Sequence, residues 1–152
     1  MLSNWDDSAS PDDVKYWERK YLDEMKAGGA SNETRFKYAT SVVKCRFVFR
    51  EDMERAVRLL EDLCVTDDPE ARKDYLFSLA VACTKTGDYC RADDCVKKFL
   101  VLEPGNRQAH ELYDIVHHKM RTDRLKEAAV AGGTAVLIGG LVGLGMALAA
   151  RR

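Results

Sequence analysis

What most limits the fold of this chain is a recurring alternation. Apolar residues spaced three and four apart are interrupted, at near-regular intervals, by residues that start or stop helices. Ser10-Pro11-Asp12-Asp13 reads as an N-cap, a proline in the first turn, then acids favoured by the helix dipole. The helix behind it carries Val14, Trp17, Tyr21, Leu22 and Met25, and Gly28-Gly29 ends it. A second helix starts near Ser31 and carries Phe36, Ala39, Val43 and Phe47. A third runs from about Glu51 to Cys64 with Met53, Ala56, Val57, Leu60 and Leu63 on one face. Asp68-Pro69-Glu70 caps a fourth, which turns Leu76, Leu79, Ala80 and Cys83 inward and stops at Gly87. Asp88 opens a fifth with Ala92, Val96, Phe99 and Leu100. Glu103-Pro104-Gly105 breaks the pattern, and Asn106 caps a sixth helix carrying Ala109, Leu112, Val116 and Met120. Short apolar runs such as Val42-Val43 lie inside longer 3.6-residue periods, so an all-α, six-helix bundle is predicted, with no strand.

The helices pair. Leu76, Leu79, Ala80 and Cys83, followed by Ala92, Val96, Phe99 and Pro104, have the spacing of a tetratricopeptide hairpin, with Gly87-Asp88-Tyr89 at its turn. Ala80 and Ala92 are small enough to let two helices approach closely. A degraded copy precedes it: Phe36, Ala39, Thr40 and Val43, then Ala56, Leu60 and Pro69 after about four extra residues in the turn. Two tandem hairpins expose both ends of their stack, so the helices from Pro11 and from Asn106 are expected to cap them.

The C-terminus follows a different rule. From Ala128 to Ala150 no side chain is charged and only Thr134 is polar, and Arg151 and Arg152 follow. Twenty-three helical residues span roughly 34 Å, enough for a hydrocarbon core of about 30 Å. The expected division is a flexible arm over 1–10, a cytosolic helical domain over 11–126, a transmembrane tail anchor over 127–150 and a basic end at 151–152. A span this close to the C-terminus is expected to insert after translation and to leave the preceding domain in the cytosol. Ala131, Ala135, Gly139, Gly143 and Ala147 recur in steps of four, a small-residue stripe suited to helix association and a homo-oligomer in the bilayer.

Composition excludes several classes. The chain carries a formal −1, and Arg151 and Arg152 contribute two positive charges, so the rest carries −3. With no basic stripe, nucleic-acid binding is not expected. The five cysteines are odd in number, lack a C-x-x-C and follow an acidic N-terminus without an apolar leader core, which fits free thiols in a reducing compartment. Cys83 reads as a small core hydrophobe. No catalytic, metal or cofactor site emerges. Lys85-Thr86-Gly87-Asp88 lacks the context of a phosphate loop, and His117 and His118 point about 100° apart on a helix. Cys90, Cys95 and His110 have no zinc spacing, and no third group orients a Cys–His pair.

Thr34–Arg46 (TRFKYATSVVKCR), Lys73–Tyr89 (KDYLFSLAVACTKTGDY), Leu102–Leu112 (LEPGNRQAHEL) and the tail together resemble the mitochondrial fission 1 protein family of tail-anchored adaptors. The likeness covers almost the whole chain, departing at a slightly expanded turn after Arg46 and at MLSNWDD. It implies a non-enzymatic adaptor on the mitochondrial outer membrane and on peroxisomes, with fission adaptors or a dynamin-related GTPase as clients. It also implies that the arm, through Leu2 and Trp5, competes for the client site, and that the short basic end, Arg151-Arg152, selects the membrane.

In stacked hairpins the first helix of each pair lines the concave side. That face is predicted to carry Thr34, Lys37, Ser41 and Lys44 from the second helix and Asp74, Phe77, Val81, Thr84 and Lys85 from the fourth. An apolar floor with a polar, basic edge suits a peptide, and Lys44 and Lys85 are the residues expected to meet its acids. A membrane-anchored chaperone-docking protein is the rival reading. It uses a cationic clamp for a C-terminal carboxylate, usually on three complete repeats, and this chain has one good copy and one degraded one.

Overall fold

The computed structural model describes residues 8–149, with side chains to residue 131. Six helices follow in order: α1 (Pro11–Lys26), α2 (Asn32–Lys44), α3 (Arg50–Cys64), α4 (Pro69–Thr86), α5 (Tyr89–Leu102) and α6 (Arg107–Ala149). No strand occurs among the described residues, where a single bridge joins Ala9 to Cys45. The chain divides into two units, Met1–His117 and His118–Arg152.

The punctuation works as chemistry. Ser10 Oγ accepts the Asp13 amide at 3.2 Å, and Asp13 returns a carboxylate oxygen to the Ser10 amide at 2.8 Å, a reciprocal capping box. Gly87 ends α4 at φ 82°, a left-handed conformation that glycine adopts at no steric cost. Between α1 and α2, Glu24 is the joint. Its carboxylate accepts the Thr34 hydroxyl at 2.7 Å and the Ser31 amide at 2.9 Å. These bonds, Thr34 first, hold the Glu24 carboxyl below the usual range.

Packing follows the paired-helix expectation. Ala39, Ala56, Ala80 and Ala92 are wholly buried, and Leu60, Val96, Leu112 and Val116 fill the space around them. Leu76, Phe99 and Ala109 form one cluster that ties α4 and α5 to the start of α6. Further along, His117 Nε2 lies 2.9 Å from Asp93 Oδ1 near the start of α5, so this part of α6 runs antiparallel to α5. Burial pushes the Asp93 carboxyl up, but hydrogen bonds from Lys97 and His117 outweigh it and hold the group below its ordinary value.

Two expectations about the inward faces are corrected. Leu22 and Met25 are exposed, because α1 covers α2 on one side only and its inner contacts come from Trp17 and Tyr21, the latter stacked 5.3 Å from Tyr38. Phe47 lies outside α2 and is 78% exposed, because the helix stops at Cys45 in extended backbone (φ −86°, ψ 132°). Tertiary donors take the freed carbonyls: Lys85 Nζ donates to Val43 O at 2.7 Å and the Ala9 amide to Lys44 O at 3.2 Å.

Among the described residues no helix is long and apolar enough to cross a membrane. α6 continues as helix to Ala149, but the side chains of Ala135, Gly139, Gly143 and Ala147, and with them most of the expected membrane segment, lie outside the description. Ala131 is exposed. Leu2, Trp5, Arg151 and Arg152 also lie outside the described residues.

Candidate partner-binding site

A groove of about 580 Å³ opens between α2 and α4 and is closed at one end by the α5–α6 connection. α2 supplies Phe36, Lys37, Thr40 and Lys44, and α4 supplies Asp74, Phe77 and Ser78. Helical geometry explains the sets: residues three and four apart share a face, and Ala71, Asp74, Phe77 and Ser78 line up along α4 in that way.

Aromatic pairs hold the floor. The Phe36 ring meets Tyr75 edge-on at 5.0 Å, and Phe77 meets Phe99 at 5.6 Å. The buried Tyr75 and Phe99 rings thereby back the half-buried Phe36 and Phe77, which face the groove. The closed end is ionic. Lys73 Nζ contacts Glu103 Oε1 at 2.6 Å and Glu70 Oε2 at 2.7 Å. Glu103 also accepts Asn106 Nδ2 at 3.1 Å, while Asn106 Oδ1 caps α6 through the Ala109 amide at 3.0 Å. The Lys73 hydrogen bonds to Glu103 and Glu70 raise its pKa, and that same bond is the main reason the Glu103 carboxyl is lowered. This end is therefore committed to structure. The open rim differs: Lys37, Lys44 and Asp74 are exposed and form no ion pair among the described residues.

The predicted concave residues divide. Lys37, Lys44, Asp74 and Phe77 line the groove together. Thr34 and Ser41 do not: Thr34 is buried against Glu24, and Ser41 is buried with its hydroxyl donated to Tyr38 O at 2.7 Å. Val81 is core, 3% exposed. Thr84 is half-buried and returns its hydroxyl to Ala80 O at 2.7 Å. Lys85 belongs to a different recess, of about 490 Å³, shared with Arg46, Phe49 and Met53. The face that opens is rotated from the predicted one. Phe36, Thr40 and Ser78, absent from the predicted face, are part of it.

The groove can hold an extended or helical peptide by apolar contact on Phe36 and Phe77 and by charge at its rim. Among the described residues no group of histidines, cysteines and acids is arranged to hold a metal. Burial pushes the half-buried Cys64 thiol up to about 11 and the buried Cys83 and Cys95 thiols up to about 12, which keeps them protonated and poorly nucleophilic.

Comparison with known proteins places this geometry. A family profile described as Fis1 C-terminal tetratricopeptide repeat matches residues 73–125, the stretch of α4, α5 and the start of α6. The mitochondrial fission 1 protein of Mus musculus is 38% identical over 135 residues, 89% of this chain and 88% of that protein. The crystal structure of fission protein Fis1 from Saccharomyces cerevisiae superposes with a TM-score of 0.69 at 23% identity, covering 84% of this chain and 95% of that one. A yeast Fis1 solved in complex with an Mdv1 fragment containing N-terminal extension and coiled-coil domains gives 0.68 at 23% identity, covering 82% and 94%. With identity of this extent along nearly its full length, the chain belongs to the mitochondrial fission 1 protein family.

Proposed function

We propose that this chain is a non-enzymatic adaptor that recruits or regulates the fission machinery, a dynamin-related GTPase and its adaptors, through the α2–α4 groove. One observation carries the reading: an open groove with an aromatic floor and, at its rim, the exposed charges Lys37, Lys44 and Asp74, which form no ion pair among the described residues. The yeast relative with the same fold that was solved with an Mdv1 fragment supports a fission adaptor as the client class. The apolar stretch 128–150 supports anchoring in the mitochondrial outer membrane, and in peroxisomes, with the domain in the cytosol. The arm is proposed to compete with clients through Leu2 and Trp5. In support, the Ala9 amide donates to Lys44 O, so the arm begins beside a groove residue. The stripe Ala131, Ala135, Gly139, Gly143 and Ala147 is proposed to join two copies in the bilayer, and Arg151-Arg152 to direct insertion.

The test is capture of a coiled-coil fission adaptor by full-length protein. Charge reversal at Lys37 and Lys44 together is expected to weaken capture without lowering the melting temperature, and removal of residues 1–8 to strengthen it. Undiminished capture by a folded Lys37→Glu/Lys44→Glu variant rejects the groove as the client site. Loss of the stripe through Gly139→Leu and Gly143→Leu is expected to abolish crosslinking between copies. Arg151→Ser/Arg152→Ser is expected to move part of the protein to the endoplasmic reticulum.

A further inference from the structure

The loop between α2 and α3 turns two large rings outward. Phe47 is 78% exposed and Phe49 82%. Single exposed apolar residues are ordinary on protein surfaces, but two phenylalanines at one loop tip form a sticky patch. The base of the loop is pinned by buried Cys45, by the Ala9 amide on Lys44 O and by Lys85 Nζ on Val43 O. The rings are therefore presented to water from an anchored base.

The loop segment itself carries cations only, with the acids Glu51 and Asp52 starting inside α3. Residues 45–50 read Cys-Arg-Phe-Val-Phe-Arg and contain no acid. Arg46 lies over the Phe47 ring, 6.0 Å from its centre, and is exposed with no ion pair among the described residues. Arg50 is already engaged, with Nε 3.0 Å from Glu54 Oε1, so Arg46 is the cation available to an anionic surface.

The position of the loop selects the occupant. Lys85 and Thr86, at the end of α4, line the same recess as Arg46 and Phe49. The start of α5 follows directly, and His117 meets Asp93 there. The α2–α3 loop, the α4–α5 turn and the His117 end of the first unit thus share one end of the domain. In sequence, the apolar stretch 128–150 follows His117 after ten residues.

We propose that Phe47 and Phe49 form a wedge that enters the interfacial layer of an anionic bilayer, with Arg46 on the lipid phosphates. The proposal rests on the reading of 127–150 as a membrane anchor, which brings the loop to the surface at high effective concentration. The rings gain burial at the headgroup boundary, and the guanidinium is suited to phosphate. A second membrane contact in addition to the anchor restricts the motion of the tethered domain.

The test uses full-length protein with Phe47→Trp as reporter on a Trp5→Phe/Trp17→Phe background. It is reconstituted into phosphatidylcholine vesicles with or without phosphatidylserine, and brominated lipid serves as quencher. Flotation with the vesicles reads the anchor, and quenching reads the wedge. Expected results are flotation in both lipids, and emission at position 47 that is blue-shifted and quenched, more so with phosphatidylserine. Arg46→Gln is expected to weaken immersion about fivefold on the anionic vesicles. A second reporter, Val65→Trp, sits at the other end of α3 at a residue 89% exposed, and is expected to stay unquenched. Flotation with no quenching at position 47 overturns the wedge while leaving the anchor, and points the phenylalanines to a protein partner instead. Equal quenching at both reporters overturns it as general adhesion. Loss of flotation overturns the anchor and the wedge with it.

Discussion

Lys85 is a structural cation of this domain. Its Nζ donates to Val43 O at 2.7 Å, in the last turn of α2, where unsatisfied carbonyls and the negative end of the helix dipole meet. Lys85→Met keeps the aliphatic stem and removes the charge. A hydrogen bond from a charged donor contributes about 1.5 to 3 kcal/mol in the interior, and half-exposure reduces it to about 1 kcal/mol. The dipole contact adds roughly 0.5 kcal/mol. The loss is therefore about 1.5 kcal/mol. For a unit of this size the unfolding entropy is about 0.25 kcal/mol per kelvin, so the melting temperature is expected to fall by about 6 °C. Thermal unfolding followed by circular dichroism measures it, and adaptor affinity measured well below the transition is expected to be unchanged. An unaltered melting temperature with weakened adaptor binding refutes the reasoning and returns Lys85 to the client surface.

Four other outcomes follow from the same contacts. Val81→Ala removes two methyl groups from a site 3% exposed, so stability is expected to drop by about 2 kcal/mol with adaptor affinity preserved. Glu24 and Glu103 have folded pKa values below the 4.5 of a free glutamate, and Asp13 and Asp93 below 3.8. Their contribution is full above those free values and is lost as pH falls through the folded ones, so the urea midpoint is expected to decline on acidification below about pH 4.5. Cys90 is exposed while Cys45, Cys83 and Cys95 are buried, so native protein is expected to react rapidly with a thiol reagent at Cys90 and at the others only after unfolding. Ala80→Leu is expected to cost about 1 to 3 kcal/mol by overpacking a wholly buried position between α4 and its neighbours, measured by urea unfolding.

The helices were legible because their ends are written in local chemistry. Ser10, Ser31, Asp68 and Asp88 each accept an amide from the turn they open, and Gly87 takes the positive φ its place requires. The end of α2 was not legible, because no glycine or proline marks it. The apolar period continues through Phe47, and the helix stops where the Cys45 amide bonds Val42 O and the distant donors Ala9 and Lys85 take the carbonyls of Lys44 and Val43. The groove was legible in its helices and missed in its rotation. α2 packs against α1, α3 and α4, so polar and apolar residues occur on its covered faces as well as its open one. Thr34 and Ser41 look like surface residues by type, yet a carboxylate and a local carbonyl satisfy them inside. Phe36 looks like core, yet it is half-buried and its pairing with Tyr75 sets it in the groove floor. The paired small residues carried the hairpins correctly, since Ala80 and Ala92 are both wholly buried.

Mapping the adaptor footprint on the domain by amide and side-chain NMR shifts tests the central claim most directly. Titration with a coiled-coil fission adaptor fragment is expected to move the signals of Phe36, Lys37, Thr40, Asp74, Phe77 and Ser78 and to leave those of Val57, Glu61 and Lys98, on α3 and α5, in place. Shifts concentrated on α3 and α5, with the groove signals unmoved, contradict the account.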